Sequence, residues 1–449
     1  MEVLNATQKP SPCRQLDLTL LKIGKLRYEN ASEDCLYINI WRPARAECEE
    51  GRCKAKLPVI VYVHGGAFQW GDSALYFYDM ERFVSKLDVV FVTFNYRVGL
   101  FGFLTTNTTD APDDNGMWDQ TLALKWVKEN IGDFGGDPDD VTLAGESAGG
   151  IAIGLHAASP HSRGLFKRAF MQSGTPLSSI FWIHHSTISA TRNIAGALGC
   201  YNDTQFLRDQ AREVVACLKK IDGKDIMDAL EQQVGVDRIF MPLFGGSFMP
   251  HDPHSSTAWA ELNVESVLLG TTRDEGSFFV DNISLLNPFI EDILYQDYRL
   301  FATTFMATSF GIPFRAARDI ATKYYGDYEV KHDRDSVSGI FGRMVADAGF
   351  DCPTHFFATA AVKSGVPTYR YLFDHRPSFS LWPKNYGVAH GDDVGFFYGT
   401  LWLHNDTSKY TDVMDSSAKE LLSKAKPTKM EEEFAIELMT LLYEFAKTG

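Results

Sequence analysis

The chain has 449 residues, with hydrophobic residues at 45% and aromatics at 13%, enough for a large core and incompatible with global disorder. Length alone predicts about three domains, although large α/β enzymes exceed the usual domain size as one unit. Lys+Arg 43 against Asp+Glu 58 leaves a net charge of -15, which repels phosphate backbones and argues against nucleic acid as a partner.

The first 20 residues contain neither a basic segment nor the apolar stretch of a secretory leader. No apolar run is long enough to span a bilayer, so no membrane span is expected in this chain. Cys35–Trp41 (CLYINIW) reads as a strand. In the loop that follows, Cys48 and Cys53 flank four residues, a spacing that a small disulfide can close. Pro58–His64 (PVIVYVH) and Val89–Tyr96 (VVFVTFNY) are nearly continuous apolar runs, as in strands buried on both faces. Asp119–Ile131 carries Leu122, Trp126 and Val127 at helical spacing and stops before the Gly/Asp/Pro-rich stretch Gly132–Asp140. Val141–Gly145 is a strand that runs into GESAGG and a small-residue helix. Ala169–Met171, Val267–Gly270 and Thr368–Phe373 read as later strands. Buried strands alternating with helices predict an α/β fold with a mostly parallel sheet. Residues 178–265 and 282–365 look helical and irregular, like insertions covering one end of that sheet.

Gly145-Glu-Ser-Ala-Gly149 fits G-x-S-x-G between a buried strand and a helix. A strained turn there needs glycine on both sides to lift the Ser147 hydroxyl clear. His64-Gly-Gly-Ala-Phe68 follows a buried strand, and its small residues let backbone N–H groups approach an oxyanion. A serine nucleophile needs a base and an orienting acid, and in such sheets the chain order is serine, acid, histidine. Of twelve histidines, His184, His185 and His251 sit in polar insertions and read as solvated, whereas His390 lies in the small-residue loop Gly387–Asp393. The acid lies in Thr271–Gly276, where order and composition do not choose between Asp274 and Glu275.

These blocks, together with SEDCLYINIWRP, NYRVGLFGFL, FMQSG, YRYLFDHR and FAKTG, resemble the type-B carboxylesterase/cholinesterase family of α/β-hydrolases. The resemblance runs from about residue 3 to the end of the chain. It implies an α/β-hydrolase fold: a single catalytic domain over 1–449, a mostly parallel central sheet flanked by helices, and long helical insertions over an active-site gorge. It implies a catalytic triad of Ser147, Glu275 and His390, with oxyanion donors at Gly66, Ala67 and Ala148. Ser173, in FMQSG, resembles a serine that sits near the acid. The expected reaction is hydrolysis of a small-molecule carboxylic ester through an acyl-serine, with no metal or organic cofactor. A homodimer is compatible with the family.

The family further implies disulfides Cys13–Cys35 and Cys200–Cys217, with Cys48–Cys53 as an added local pair. Its members pair the equivalent of Cys352 with a cysteine in a later segment and begin several dozen residues earlier. The expectation is therefore a chain truncated at both ends. N-x-[ST] sequons at Asn5, Asn30, Asn107, Asn202, Asn282 and Asn405 use six of fourteen asparagines, where chance gives roughly two. That surplus predicts a secreted or extracellular glycoprotein with disulfides. Cholinesterases bind choline on a tryptophan just before the SEDC block. That position here holds Lys25, with Tyr28 the one aromatic nearby, and Val236 and Arg238 stand where acetylcholinesterases place acyl-pocket aromatics. Phe278 does match an aromatic after the acid. A non-choline ester is the expectation. The alternatives are an acetylcholinesterase-like choline ester hydrolase, a non-catalytic cholinesterase-like adhesion protein, and an inert fragment.

Overall fold

The computed structural model describes the chain apart from residues 1–5, 7–8, 21–23, 27, 29, 45–47, 50–51, 54–55, 112, 179–185, 234–238, 256–258, 260, 281–296, 311, 326–333, 406–419 and 421–422. In chain order its strands are β1 (Leu18–Leu20), β2 (Gly24–Leu26), β3 (Ile38–Trp41), β4 (Cys48–Glu49), β5 (Arg52–Cys53), β6 (Leu57–Val63), β7 (Val90–Phe94), β8 (Gly136–Glu146), β9 (Arg168–Gln172), β10 (Ser266–Thr272) and β11 (Thr368–Phe373). Seven form one sheet in the order β11-β10-β9-β8-β6-β7-β3, while β1-β2 and β4-β5 make separate two-stranded ribbons. Every pairing in the large sheet is parallel except β3 with β7.

Side chains alternate across this sheet, as the pleat requires. From β6, Val59, Val61 and Val63 enter one buried cluster with the helix Ala148–Ala158. Ile60 and Tyr62 enter the other, under the helix Lys429–Thr448 with its Met439, Leu442 and Phe445. Helices on both faces bury the sheet, which explains the unbroken apolar runs of β6 and β7.

Three sequence expectations need adjusting. Only Ile38–Trp41 of the first expected strand pairs with β7, because Cys35 is tied back to Cys13 by a disulfide. β8 begins at Gly136 rather than Val141, since a register shift opposite Leu57 and Val59 accommodates the polar residues before Val141. The helix expected from Asp119 starts at Asn115, and Leu122 points outward with 63% exposure, while Met117, Leu124 and Val127 form the buried stripe.

The two insertions carry helices, among them Ser186–Ala197, Ala211–Leu218 and Gly223–Glu231 in the first and Tyr298–Phe310, Phe314–Tyr325, Arg334–Ala346 and Cys352–Lys363 in the second. Disulfides join Cys13 to Cys35 and Cys200 to Cys217. Cys48 and Cys53 face each other in the β4–β5 ribbon, but their side chains lie outside the described residues. Cys352 is a free, exposed thiol.

Candidate active site

The parallel register aligns the carboxyl ends of the central strands: Val63 is level with Gly145, Glu146 with Gln172, and Gln172 with Gly270. Ligand sites of open α/β sheets form at this edge. Ser147 stands there between β8 and the helix Ala148–Ala158, with φ 58° and ψ −123°. A non-glycine residue holds such a conformation only where its surroundings over-determine it. Here a Cβ on Gly149 would overlap the Val63 carbonyl, and the Ser147 N–H donates to the Gln172 carbonyl at 2.8 Å.

The turn after β6 is equally constrained, with positive φ at Gly66 (111°), Ala67 (53°) and Phe68 (60°). The N–H groups of Gln69 and Trp70 both donate to the Gly66 carbonyl, at 2.9 and 3.1 Å. Among the described residues no acceptor takes the N–H of Gly66 or Ala67, and the N–H of Ala148 is an orphan of the first helical turn. A Cβ on Gly65 would sit 3.2 Å from Ser147 Cβ, so this turn lies directly against the serine. His64 itself is buried and stacks on Tyr96 at 4.3 Å; burial lowers its pKa to about 4, so it is neutral.

The two candidate acids diverge. Asp274, half-buried, accepts the Val388 N–H at 2.8 Å and pairs with Arg273 at 2.9 Å. Glu275 is fully buried, and its Oε2 lies 2.5 Å from His390 Nδ1. Its Oε1 accepts hydrogen bonds from the Ser173 hydroxyl at 2.5 Å and the Thr272 N–H at 2.7 Å. Ser173 thus lies directly against Glu275.

His390 is buried against the rings of Phe278, Phe279 and Phe350 at 5.9, 5.4 and 4.8 Å. Phe350 comes from a π-helical turn, Asp347–Asp351, in the second insertion. His390 Nε2 lies 3.1 Å from Oε1 of Glu146, within ion-pair distance but without hydrogen-bonding alignment. Among the described residues no hydrogen bond joins the Ser147 hydroxyl to His390; Glu146 stands beside both. Burial opposes charge on the imidazole, yet Glu146 and then Glu275 outweigh it and push the pKa up to about 9. Burial raises Glu146 to about 7 against the lowering effect of His390. Asp393, three residues after His390, is raised to about 6 by burial and held by Gln172 and the Tyr371 hydroxyl.

Glu146, Asp393, Gln172 and Phe350 escaped the sequence reading. Glu146 and Asp393 lie inside motifs already singled out, so their nearness to serine and histidine was an available signal; nothing in the sequence marks Phe350. Of the remaining expectations, His251 is exposed, while His184 and His185 lie outside the described residues. So do Val236, Arg238, Asn5 and Asn282, and the side chains of Lys25 and Asn405. Asn30, Asn107 and Asn202 are exposed, and Tyr28 is buried. Among the described residues no cluster of three or more His, Cys, Asp or Glu is arranged to hold a metal, and no helix is long and apolar enough to cross a membrane.

Over residues 1–449 the sequence matches the family described as the carboxylesterase family. It is 35% identical over 405 residues to Acetylcholinesterase-1 of Trittame loki, covering 88% of this chain and 71% of that protein. To an acetylcholinesterase of Leptinotarsa decemlineata it is 34% identical over 426 residues, covering 88% and 66%. To one of Bungarus fasciatus it is 34% identical over 400 residues, covering 85% and 61%. The chain thus spans between 61% and 71% of the length of these relatives.

Proposed function

This chain belongs to the carboxylesterase family, and from that premise we propose that residues 1–449 act as one catalytic unit, a serine hydrolase of carboxylic esters. Ser147 is the nucleophile, His390 the base and Glu275 the acid. The observation that carries this reading is the 2.5 Å contact between Glu275 Oε2 and His390 Nδ1. It holds the proton on Nδ1 and leaves Nε2 to take the proton of Ser147 as the hydroxyl attacks the ester carbonyl. Catalytic hydrogen bonds are often long before substrate binds, so the serine and imidazole close up in the complex. The N–H groups of Gly66, Ala67 and Ala148 receive the developing oxyanion, each worth roughly 3 kcal/mol of barrier. His390 then protonates the leaving alcohol, and water hydrolyses the acyl-serine. A fluorophosphonate probe should label the protein and fail on Ser147→Ala; a folded, unreactive full-length protein would sink the proposal and favour the adhesion reading.

A choline ester is the second reading. Three relatives are named acetylcholinesterases, and the aromatic rings of Phe278, Phe279 and Phe350 surround His390, a setting in which a cation is attracted to ring quadrupoles. We favour a non-choline ester because Lys25 occupies the position where the family resemblance puts the choline-binding tryptophan. Turnover of acetylthiocholine faster than that of p-nitrophenyl acetate would reverse this preference. Secretion and glycosylation are supported by two disulfides and by exposed sequons at Asn30, Asn107 and Asn202. Glycan attachment at these sites would appear as a mobility shift of the secreted protein after N-glycosidase treatment.

A further inference from the structure

Gln69 follows the left-handed pair Ala67 and Phe68 in the turn beside Ser147. Its carboxamide makes three hydrogen bonds to backbone, none of them to its own peptide. Nε2 donates to the Ala67 carbonyl at 3.1 Å and to the Phe240 carbonyl at 2.5 Å, while Oε1 accepts the Phe240 N–H at 3.0 Å. Nε2 also lies 3.6 Å from the Met241 sulfur. The amide thus pairs with Phe240 on both its donor and acceptor sides, as a neighbouring strand would, across 171 residues of sequence. Phe240 is itself fully buried.

At the other end of the turn a second glutamine repeats the arrangement. Gln15 Oε1 accepts the Gly71 N–H at 2.6 Å, and its Nε2 donates to the Gly71 carbonyl at 2.8 Å. Gln15 is in turn close to the Cys13–Cys35 disulfide through a hydrogen bond to the Cys13 carbonyl. The Gly66–Gly71 turn therefore hangs between two side-chain amides. Of the two, only Gln69 grips a residue whose N–H is aimed at the oxyanion in the proposed reaction.

We propose that Gln69 is a positioning residue for the oxyanion hole: by holding the Ala67 carbonyl and the Phe240 backbone together, it sets the direction of the Ala67 N–H. This rests on the serine-hydrolase reading. A positioning role for an oxyanion donor acts on the transition state and leaves ground-state binding nearly intact.

The test uses Gln69→Met, which keeps the volume and loses all three bonds, and Gln69→Glu, which keeps the acceptor for the Phe240 N–H but sets an acceptor against both carbonyls. Active sites are counted by fluorophosphonate titration, and kcat per site, KM and the inhibition constant of a trifluoromethyl ketone are measured at pH 8. The expected result is a kcat loss of about 10- to 100-fold with KM within about threefold, and weaker ketone binding by the same factor as kcat/KM. If either variant yields no titratable protein, the other carries the test. Wild-type kcat per site and wild-type ketone affinity in a folded variant would overturn the inference. Failure of the wild type to turn over any ester would instead remove the serine-hydrolase reading, and this inference with it.

Discussion

Glu146 sits between the proposed nucleophile and base, and Glu146→Gln tests what its charge does there. Its Oε1 is 3.1 Å from His390 Nε2, and it is the largest of the influences raising that imidazole's pKa. With charge centres about 4 Å apart and an effective dielectric of about 20, a full carboxylate is worth about 4 kcal/mol, or roughly three pKa units. Burial holds Glu146 near pH 7, however, so it carries only part of its charge around neutrality and the two groups titrate as a pair. The net effect expected of the isosteric amide is a fall in the His390 pKa of about one to two units. Imidazolium cannot accept the serine proton, so activity rises with pH as it deprotonates. Lowering the pKa from about 9 therefore moves this acid limb to lower pH. The plateau should fall at the same time, by about tenfold, because the imidazolium formed at the transition state has lost a neighbouring carboxylate. The assay is kcat/KM for a p-nitrophenyl ester from pH 5 to 10, normalised to fluorophosphonate-titrated sites. An acid limb that stays in place or moves to higher pH would refute the electrostatic reasoning.

Two further predictions concern stability. Glu431 is buried at the start of the helix Lys429–Thr448, where it completes a capping box with Thr428 and accepts hydrogen bonds from the Ser378 N–H and hydroxyl at 2.6 and 2.5 Å. Burial opposes its charge, but these Ser378 bonds and the Thr428 N–H override it and push the pKa down to about 2. A depressed carboxylate stabilises the fold above its unfolded pKa and loses that contribution as pH falls through the folded value. The wild type should therefore weaken between roughly pH 4.5 and 2. Glu431→Gln should cost about 2 kcal/mol at pH 7 in urea unfolding; equal midpoints would contradict this. Replacing both Cys13 and Cys35 with Ser opens a link separated by 22 residues and should cost about 3 kcal/mol. Reductant should then lower the melting temperature of the wild type more than that of the double variant, which retains one fewer disulfide.

The strands were the most legible part of the molecule. β6 and β7 are covered on both faces, and that burial writes itself into the sequence as unbroken apolar runs. The amino end of β8 was not legible, because Gly136 pairs with Leu57 and Val141 with Val59, and the register shift between them takes up the largely polar residues 137–140. Leu122 misled the helix reading for the reverse reason. A single apolar residue at helical spacing says nothing about which stripe faces the sheet, and the buried stripe here runs through Met117, Leu124 and Val127.

The site shows the same division at the scale of single atoms. Ser147 and the glycine turn were visible because backbone geometry confined to a few residues demands particular residue types, and those types are read directly from the chain. Asp274 and Glu275 were equivalent on that basis: adjacent carboxylates at a strand end, separated only by which way each points. The fold distinguishes them by burial, with Glu275 enclosed against His390 and Asp274 turned to the Val388 N–H. Glu146 and Gln69 lie deeper in this limit. Glu146 matters because a low-dielectric pocket makes its charge felt by an imidazole 244 positions away in sequence, and Gln69 because its amide meets the backbone of Phe240. Neither contact exists until the loop carrying His390 has folded against the end of β8 and the first insertion has folded back on the turn. Local chain geometry thus marks the serine and the glycine turn, and tertiary burial separates Glu275 from Asp274 and sets Gln69 against Phe240.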